Sequence, residues 1–180
     1  MIEIDKVLNT ILNESIELPE VLVQGLTNNS SKVKKGYIFF AFKGENNDGN
    51  DFIEDAFKNG ACLAITDSYQ VESQKNVIKV DDVRTAAGIA CSNFYNFPQN
   101  KLRLIGITGT NGKTSTSTIL KSILDAENEK TLQIGTSGIK PSLEINSGLT
   151  TPDIFDLYEL LNHAVNDGFK NVVLEVSSHA

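Results

Sequence analysis

One stretch of the chain constrains its fold more than any other, a β-prone run that leads through a glycine-containing loop into a helical pattern. The run covers residues 102–107, the loop 108–112, and the helical pattern 113–127. A strand, a loop and a helix in this order open a parallel α/β unit, in which a later strand lies beside the first. We therefore expect a parallel sheet in this part of the chain.

The loop has the composition of a phosphate-binding loop (P-loop). Gly109 and Gly112 let backbone N–H groups converge on phosphate oxygens, and the helix N-terminus that follows favours anions. Lys113 supplies a positive charge, and the hydroxyl of Thr114 can ligate Mg²⁺. The strict Walker spacing would place its first glycine at position 107, where this chain has Ile107. The loop predicts a nucleoside triphosphate site, but alone it does not distinguish a kinase, an ATPase or a ligase.

The first part of the chain has the pattern of a smaller α/β unit. The predicted elements are strands at 37–42, 62–66 and 77–80, a helix from Phe52 to Gly60, and a helix at 82–95 capped by Asp81 or Asp82. Residues 96–100 break the last helix, and a new β pattern follows them. We therefore predict two domains, at 1–98 and 99–180.

The second part continues the alternation of strands and helices. Further β-prone runs lie at 132–134 and 171–176, and residues 150–153 open a helix between them. The apolar face of that helix carries Leu157, Leu160, Leu161 and Ala164. The predicted fold class is α/β, with a small N-terminal α/β domain followed by the first part of a parallel-sheet P-loop domain.

Charge and composition exclude several function classes. The net charge is −7 and the chain has no basic cluster, which argues against nucleic-acid binding through a phosphate-neutralising patch. No run approaches the roughly 18 apolar residues of a membrane span, so we expect no membrane partner. Cys62 and Cys91 lie in apolar segments without metal-site spacing, so we expect buried thiols and a cytoplasmic protein.

Three motifs in order resemble the Mur ligase family. They are residues 106–116 around the phosphate loop, Thr150-Thr151-Pro152-Asp153, and Glu175-Val176-Ser177-Ser178-His179-Ala180. The resemblance implies that ATP is bound by Gly109, Thr110, Asn111, Gly112, Lys113, Thr114 and Ser115, with Lys113 as the catalytic residue.

The resemblance also implies an activity and its ligands. It points to an ATP- and Mg²⁺-dependent ligase of peptidoglycan precursor synthesis that adds the third amino acid to UDP-N-acetylmuramoyl-dipeptide through an acyl phosphate. Such an enzyme is expected to be a cytoplasmic monomer. The sequence does not decide between lysine and diaminopimelate as the incoming amino acid.

Two roles follow for the later motifs, each with a structural alternative. Glu175 is expected to ligate Mg²⁺ with Thr114, because hard oxygen ligands suit this ion, or to be an acid at a strand end that faces solvent. Thr150 and Thr151 are expected to contact the substrate, to cap the helix that follows, or both. Ser177 is expected to contact the substrate or to be a plain strand-end hydroxyl.

The first part of the chain is similar to the family's uridine-binding domain. The similar residues are 33–44, Asp48-Gly49 and Gly60-Ala61. The family usually carries Asp-Ser-Arg just before them, whereas this chain has Asn29-Ser30-Ser31. Ser30 keeps its type and is the expected substrate contact. Further candidates are Asn28, Glu45, Asn46 and Asn47.

Alternatives to a complete ligase remain open. The resemblance puts the metal-bridging lysine and the amino-acid-binding domain after residue 180, so we expect the chain by itself not to catalyse ligation. A non-catalytic module that binds a nucleotide or UDP-muramoyl peptide is one alternative. Another ATP-dependent amide ligase, of the folylpolyglutamate or cyanophycin synthetase kind, is a second, which the uridine-type first part disfavours.

Overall fold

The computed structural model describes residues 1–12, 18–44, 47–68, 76–136 and 151–177. The chain divides into two compact units, Met1–Phe94 and Tyr95–Ala180. Each unit contains a parallel sheet with helices connecting its strands. The predicted α/β class with parallel sheets is confirmed.

Unit 1 is built on a four-stranded parallel sheet. The strands of the unit, including two outside that sheet, are β1 (Ile2–Glu3), β2 (Leu22–Val23), β3 (Gly25–Thr27), β4 (Tyr37–Phe40), β5 (Ala61–Thr66) and β6 (Val77–Lys79). Its α-helices are α1 (Ile4–Val7), α2 (Ile53–Lys58) and α3 (Val83–Phe94), and 3₁₀ turns cover Ser30–Lys32 and Gly49–Phe52. The parallel sheet has the order β3-β4-β5-β6, while β1 and β2 pair antiparallel.

The core of unit 1 lies along β4 and β5. Ile38, Phe39 and Phe40 are fully buried, as are Leu63 and Ile65. Strands of a parallel sheet are covered on both faces, which explains why these strands read as continuous apolar runs. The three residues of β3 make too short a run to be recognised, and sequence analysis missed that strand.

Helix α3 begins as its capping residue predicts. The Asp82 carboxylate accepts hydrogen bonds from the backbone N–H groups of Arg84 at 2.9 Å and Thr85 at 3.2 Å. Hydrogen bonds from the Thr85 hydroxyl and from these two amides lower the pKa of Asp82.

Of the two cysteines, Cys91 in α3 is buried as expected, whereas Cys62 in β5 is only half-buried.

Gly88 lies inside α3, and we expect Gly88→Ala to stabilise unit 1. Apart from its chain neighbours and the backbone of α3 itself, an added Cβ would meet no heavy atom of the described residues within 4 Å. Glycine in a helix interior is less stable than alanine by about 0.5–1 kcal/mol, so urea unfolding should show a gain of that order. Gly25→Ala is the contrasting variant, because its Cβ would lie 2.5 Å from the Tyr37 ring. Equal stabilities of the two variants would contradict the prediction.

Unit 2 contains a three-stranded parallel sheet. Its strands are β7 (Arg103–Ile107), β8 (Thr131–Ile134) and β9 (Asn171–Glu175), in the order β7-β9-β8. Its helices are α4 (Lys113–Ala126) and α5 (Ile154–Asn166), preceded by a 3₁₀ turn at Pro98–Asn100. The predicted strand, loop and helix are therefore present, and β9 lies beside the strand that leads into the loop.

Helix α5 packs on the sheet through the predicted face, but a different residue caps it. Leu160, Leu161 and Ala164 join the buried cluster of unit 2. The carboxylate of Asp153 accepts from the N–H groups of Phe155 and Asp156, both at 2.9 Å. The alternative reading of Thr151 as the helix cap is therefore wrong.

No helix among the described residues is long and apolar enough to cross a bilayer.

Candidate functional site

The loop between β7 and α4 is turned by its two glycines. Gly109 has a φ of 149° and Gly112 a φ of 79°, in the region that favours residues without a Cβ. Gly112 is the N-cap residue of α4 and makes no side-chain hydrogen bond to the start of this helix. The first amides of a helix have no partner within the helix, so this end offers its N–H groups and its dipole to an anion.

The predicted ATP-binding residues lie together at this end of α4. The Lys113 ammonium donates to the Gly109 carbonyl at 2.6 Å, so its charge lies against the loop. Thr110 and Asn111 are exposed on the loop, and Ser115 is exposed in the first turn of α4. The loop thus presents a cation and backbone donors on one side of the sheet's carboxyl edge.

Glu175 ends β9 directly beside the end of β7, in register with Ile107. Its side chain is fully buried, so the reading of Glu175 as an acid that faces solvent is wrong. Its carboxylate accepts hydrogen bonds from the hydroxyls of Thr114 at 2.9 Å, Ser117 at 3.1 Å and Thr136 at 3.1 Å. The structure therefore brings together Thr114 and Glu175, the two predicted metal ligands.

The hydroxyl groups around Glu175 keep it charged. Burial by itself raises the pKa of a carboxyl group, because it disfavours the ionised form. The hydrogen bonds from Thr114, Ser117 and Thr136 oppose this, and the pKa of Glu175 lies below its usual value. A charged carboxylate in this position is suited to bind a cation.

Several residues that support Glu175 were missed by sequence analysis. The Gln133 amide donates to the Ser117 hydroxyl at 2.8 Å, which connects β8 to α4 beneath the carboxylate. Gly135 is the residue after β8, and its backbone lies so close to Glu175 that an added Cβ would be 2.3 Å from the Glu175 Cδ. Of these residues, only Ser117 could have been predicted from the sequence. It lies three residues after Thr114 and therefore shares the helix face that contacts Glu175.

The two predicted ligands suit a Mg²⁺ ion that also binds nucleotide phosphates better than a metal ion that is ligated by protein side chains alone. Thr114 and Glu175 offer one hydroxyl and one carboxylate. The described residues contain no group of three or more His, Cys, Asp or Glu side chains placed to hold a metal. Mg²⁺ usually keeps several waters and binds through one or two carboxylates plus substrate phosphates. A site of this composition therefore suits a Mg²⁺–nucleotide complex.

Two other predicted substrate contacts, Thr151 and Ser177, meet at the end of β9. The Thr151 hydroxyl donates to the Glu175 carbonyl at 3.0 Å and accepts from the Ser177 N–H at 3.0 Å. The two side-chain hydroxyls of Thr151 and Ser177 lie 3.3 Å apart. These residues form one cluster beside Glu175, whereas Thr150 lies outside the described residues.

A second candidate site lies in unit 1, where a cavity of about 500 Å³ opens after β3 and β4. Its lining residues are Asn28, Asn29, Ser30, Ser31, Phe42, Gly44, Asn47, Gly49, Phe52 and Arg84. The predicted contact Ser30 and two of the further candidates therefore line one cavity, while Glu45 and Asn46 lie outside the described residues. Arg84 was missed, because it comes from α3, far from the loops in sequence.

Both halves of the chain match domains of one known protein family. Residues 22–95 match the family described as Mur ligase family, catalytic domain, and residues 107–180 match the Mur ligase middle domain. A UDP-N-acetylmuramoyl-L-alanyl-D-glutamate–2,6-diaminopimelate ligase of Caldanaerobacter subterraneus is 45% identical over 90% of this chain and 34% of its own length. The ligase of the same name from Aquifex aeolicus is 45% identical over 88% and 33%.

Solved structures show the same fold. The structure of a UDP-N-acetylmuramoyl-L-alanyl-D-glutamate–2,6-diaminopimelate ligase matches with a TM-score of 0.78 at 26% identity, over 99% of this chain and 36% of that one. The MurF ligase of Thermotoga maritima, in complex with ADP, shares the fold, with a TM-score of 0.57 at 24% identity over 88% and 33%. The chain spans about a third of the length of the curated relatives it matches. The chain belongs to the Mur ligase family.

Proposed function

We propose that the chain carries the nucleotide- and substrate-binding sites of an ATP-dependent ligase that adds the third amino acid to UDP-N-acetylmuramoyl-L-alanyl-D-glutamate. The observation that carries the proposal is the 2.9 Å hydrogen bond between Thr114 and Glu175, at the start of the helix that follows the phosphate loop. The names of the relatives support this substrate, and they favour 2,6-diaminopimelate over lysine as the incoming amino acid.

In this proposal the loop binds ATP as a substrate. The backbone N–H groups from Gly109 to Thr114 surround the phosphates, together with Ser115, and the Lys113 ammonium neutralises phosphate charge. Thr114 and Glu175 would hold Mg²⁺, which when bound neutralises the charge on the phosphate oxygens. The hydroxyls of Ser117, which is buried, and of Thr136 keep the Glu175 carboxylate ionised and correctly oriented.

The proposed reaction has two steps. The glutamyl carboxylate of the substrate takes the γ-phosphoryl group, which breaks the β–γ bond and releases ADP. The amine of the amino acid then attacks the acyl phosphate, loses a proton, and expels phosphate as the amide bond forms. A free carboxylate is a poor electrophile at neutral pH, which is why the first step is needed.

The substrate contacts belong to the same proposal. We assign the UDP-muramoyl end to domain 1–98, with Ser30 as a contact, and ATP to domain 99–180. Thr150, Thr151 and Ser177 would contact the rest of the substrate. A reaction that consumes ATP is expected in the cytoplasm, and a monomer is sufficient for it.

Calorimetry on the chain tests the proposal. We expect binding of ATP that weakens when EDTA removes Mg²⁺, and separate binding of UDP-N-acetylmuramoyl-L-alanyl-D-glutamate. A coupled phosphate assay with both ligands and diaminopimelate is expected to show no substrate-dependent release. Binding of neither ligand by a folded chain would contradict the proposal. Substrate-dependent phosphate release would show that these residues suffice for chemistry and would exclude a binding module.

A further inference from the structure

Arg84 connects the start of α3 to the loop that follows β4. Its guanidinium lies over the Phe42 ring, with Cζ 4.8 Å from the ring centroid. Its Nη2 donates to the Lys43 carbonyl at 3.3 Å. These two contacts hold the guanidinium at the cavity of unit 1, although Arg84 is 41 residues away from Lys43 in sequence.

Among the described residues that line this cavity, the charge is carried by Arg84. The other polar side chains that line it are neutral amides and hydroxyls, from Asn28, Asn29, Ser30, Ser31 and Asn47. Among the described lining residues, Arg84 alone carries a charge. A ligand that satisfies this lining has a neutral part with hydrogen-bonding edges and an anionic part next to Arg84.

The guanidinium is well placed for an oxyanion. It carries five N–H donors, and the bond to the Lys43 carbonyl uses one of them. Arginine binds phosphate oxygens through two parallel hydrogen bonds, and stacking on an aromatic ring restricts the orientation of its fork. The Arg84 side chain therefore loses less conformational entropy on binding the anion than an unrestrained arginine would. The side chain is also exposed, so a ligand can reach it.

We propose that Arg84 binds the diphosphate of the UDP-substituted substrate, while the amides and hydroxyls of the cavity bind its nucleoside. This inference rests on the proposed function and names a specificity residue for it. The cavity of about 500 Å³ has the size of a small-ligand site. Because the diphosphate is common to every UDP-linked ligand, Arg84 selects for the charged linkage and not for the peptide.

Titrations of the chain with uridine and with UDP test this assignment. Arg84→Met is expected to weaken UDP binding by about ten- to hundredfold, which corresponds to the loss of one charge-assisted contact. Uridine binding should change by less than about twofold on the same scale, since uridine has no phosphate. Arg84→Lys keeps the charge but not the fork, and should recover part of the lost UDP affinity. Lys58→Met removes an exposed cation that pairs with Asp55, and is the matched control.

The outcomes separate this inference from the proposed function. UDP affinity unchanged in Arg84→Met would overturn the diphosphate role alone. An equal loss of uridine and UDP affinity would also overturn it, because Arg84 would then only support the cavity wall. If the unchanged, folded chain binds neither uridine nor UDP, the substrate site itself fails and Arg84 with it.

Discussion

Gly135→Ala is expected to destabilise unit 2 by about 3 kcal/mol and to weaken the binding of Mg²⁺–ATP. The new Cβ would lie 2.3 Å from the Glu175 Cδ and 2.4 Å from Oε1, distances that no Cβ tolerates. The carboxylate cannot move into solvent, because it is fully buried and held by the hydroxyls of Thr114, Ser117 and Thr136. Overpacking costs about 1–3 kcal/mol, and hydroxyls that lose their acceptor add about 1 kcal/mol or more.

Gly106→Ala is the matched control, because it lies on β7 beside the same part of β9. Its Cβ would meet the Val176 Cγ2 at 3.5 Å, an ordinary contact. Urea unfolding measures the stability of both variants, and calorimetry with Mg²⁺–ATP measures the site. If Gly135→Ala unfolds at the same urea concentration as Gly106→Ala, the Glu175 carboxylate is free to move and its proposed confinement is wrong.

The elements that could be predicted are those whose signal is local. The glycine loop between β7 and α4 was evident because a strand, two glycines and a helix follow each other within one short stretch. The apolar face of α5 was evident because Leu160, Leu161 and Ala164 repeat at helical spacing. The cap of α5 was misread, since Thr151 and Asp153 both have capping side chains and only the backbone geometry selects Asp153.

The candidate site could be predicted only in part, because most of its contacts are long-range. Thr114 and Glu175 were paired through a family resemblance, although 61 residues separate them. Nothing in the sequence marks Gln133 or Thr136 as neighbours of that carboxylate, because their roles depend on the order β7-β9-β8. Arg84 was missed for the same reason, since the fold alone brings the start of α3 to the loop after β4.

Lys113→Met is expected to lower the affinity for Mg²⁺–ATP by about 30- to 100-fold. The ammonium lies 2.6 Å from the Gly109 carbonyl, so it is already held within the loop. A hydrogen bond to a charged group contributes about 1.5–3 kcal/mol, and 1.4 kcal/mol is a factor of ten in affinity. Methionine retains most of the side chain's length and removes the charge, so stability in urea should barely change.

The control for Lys113→Met is Lys121→Met on the same helix. The Lys121 ammonium pairs with the Asp125 carboxylate one turn further along α4, away from the loop. Both variants lose one positive charge from α4, so a general charge effect would lower ATP affinity equally in the two. A loss confined to Lys113→Met would place the effect at the loop. Full affinity in Lys113→Met would mean that the phosphates bind elsewhere, and the ligase assignment would lose its nucleotide site.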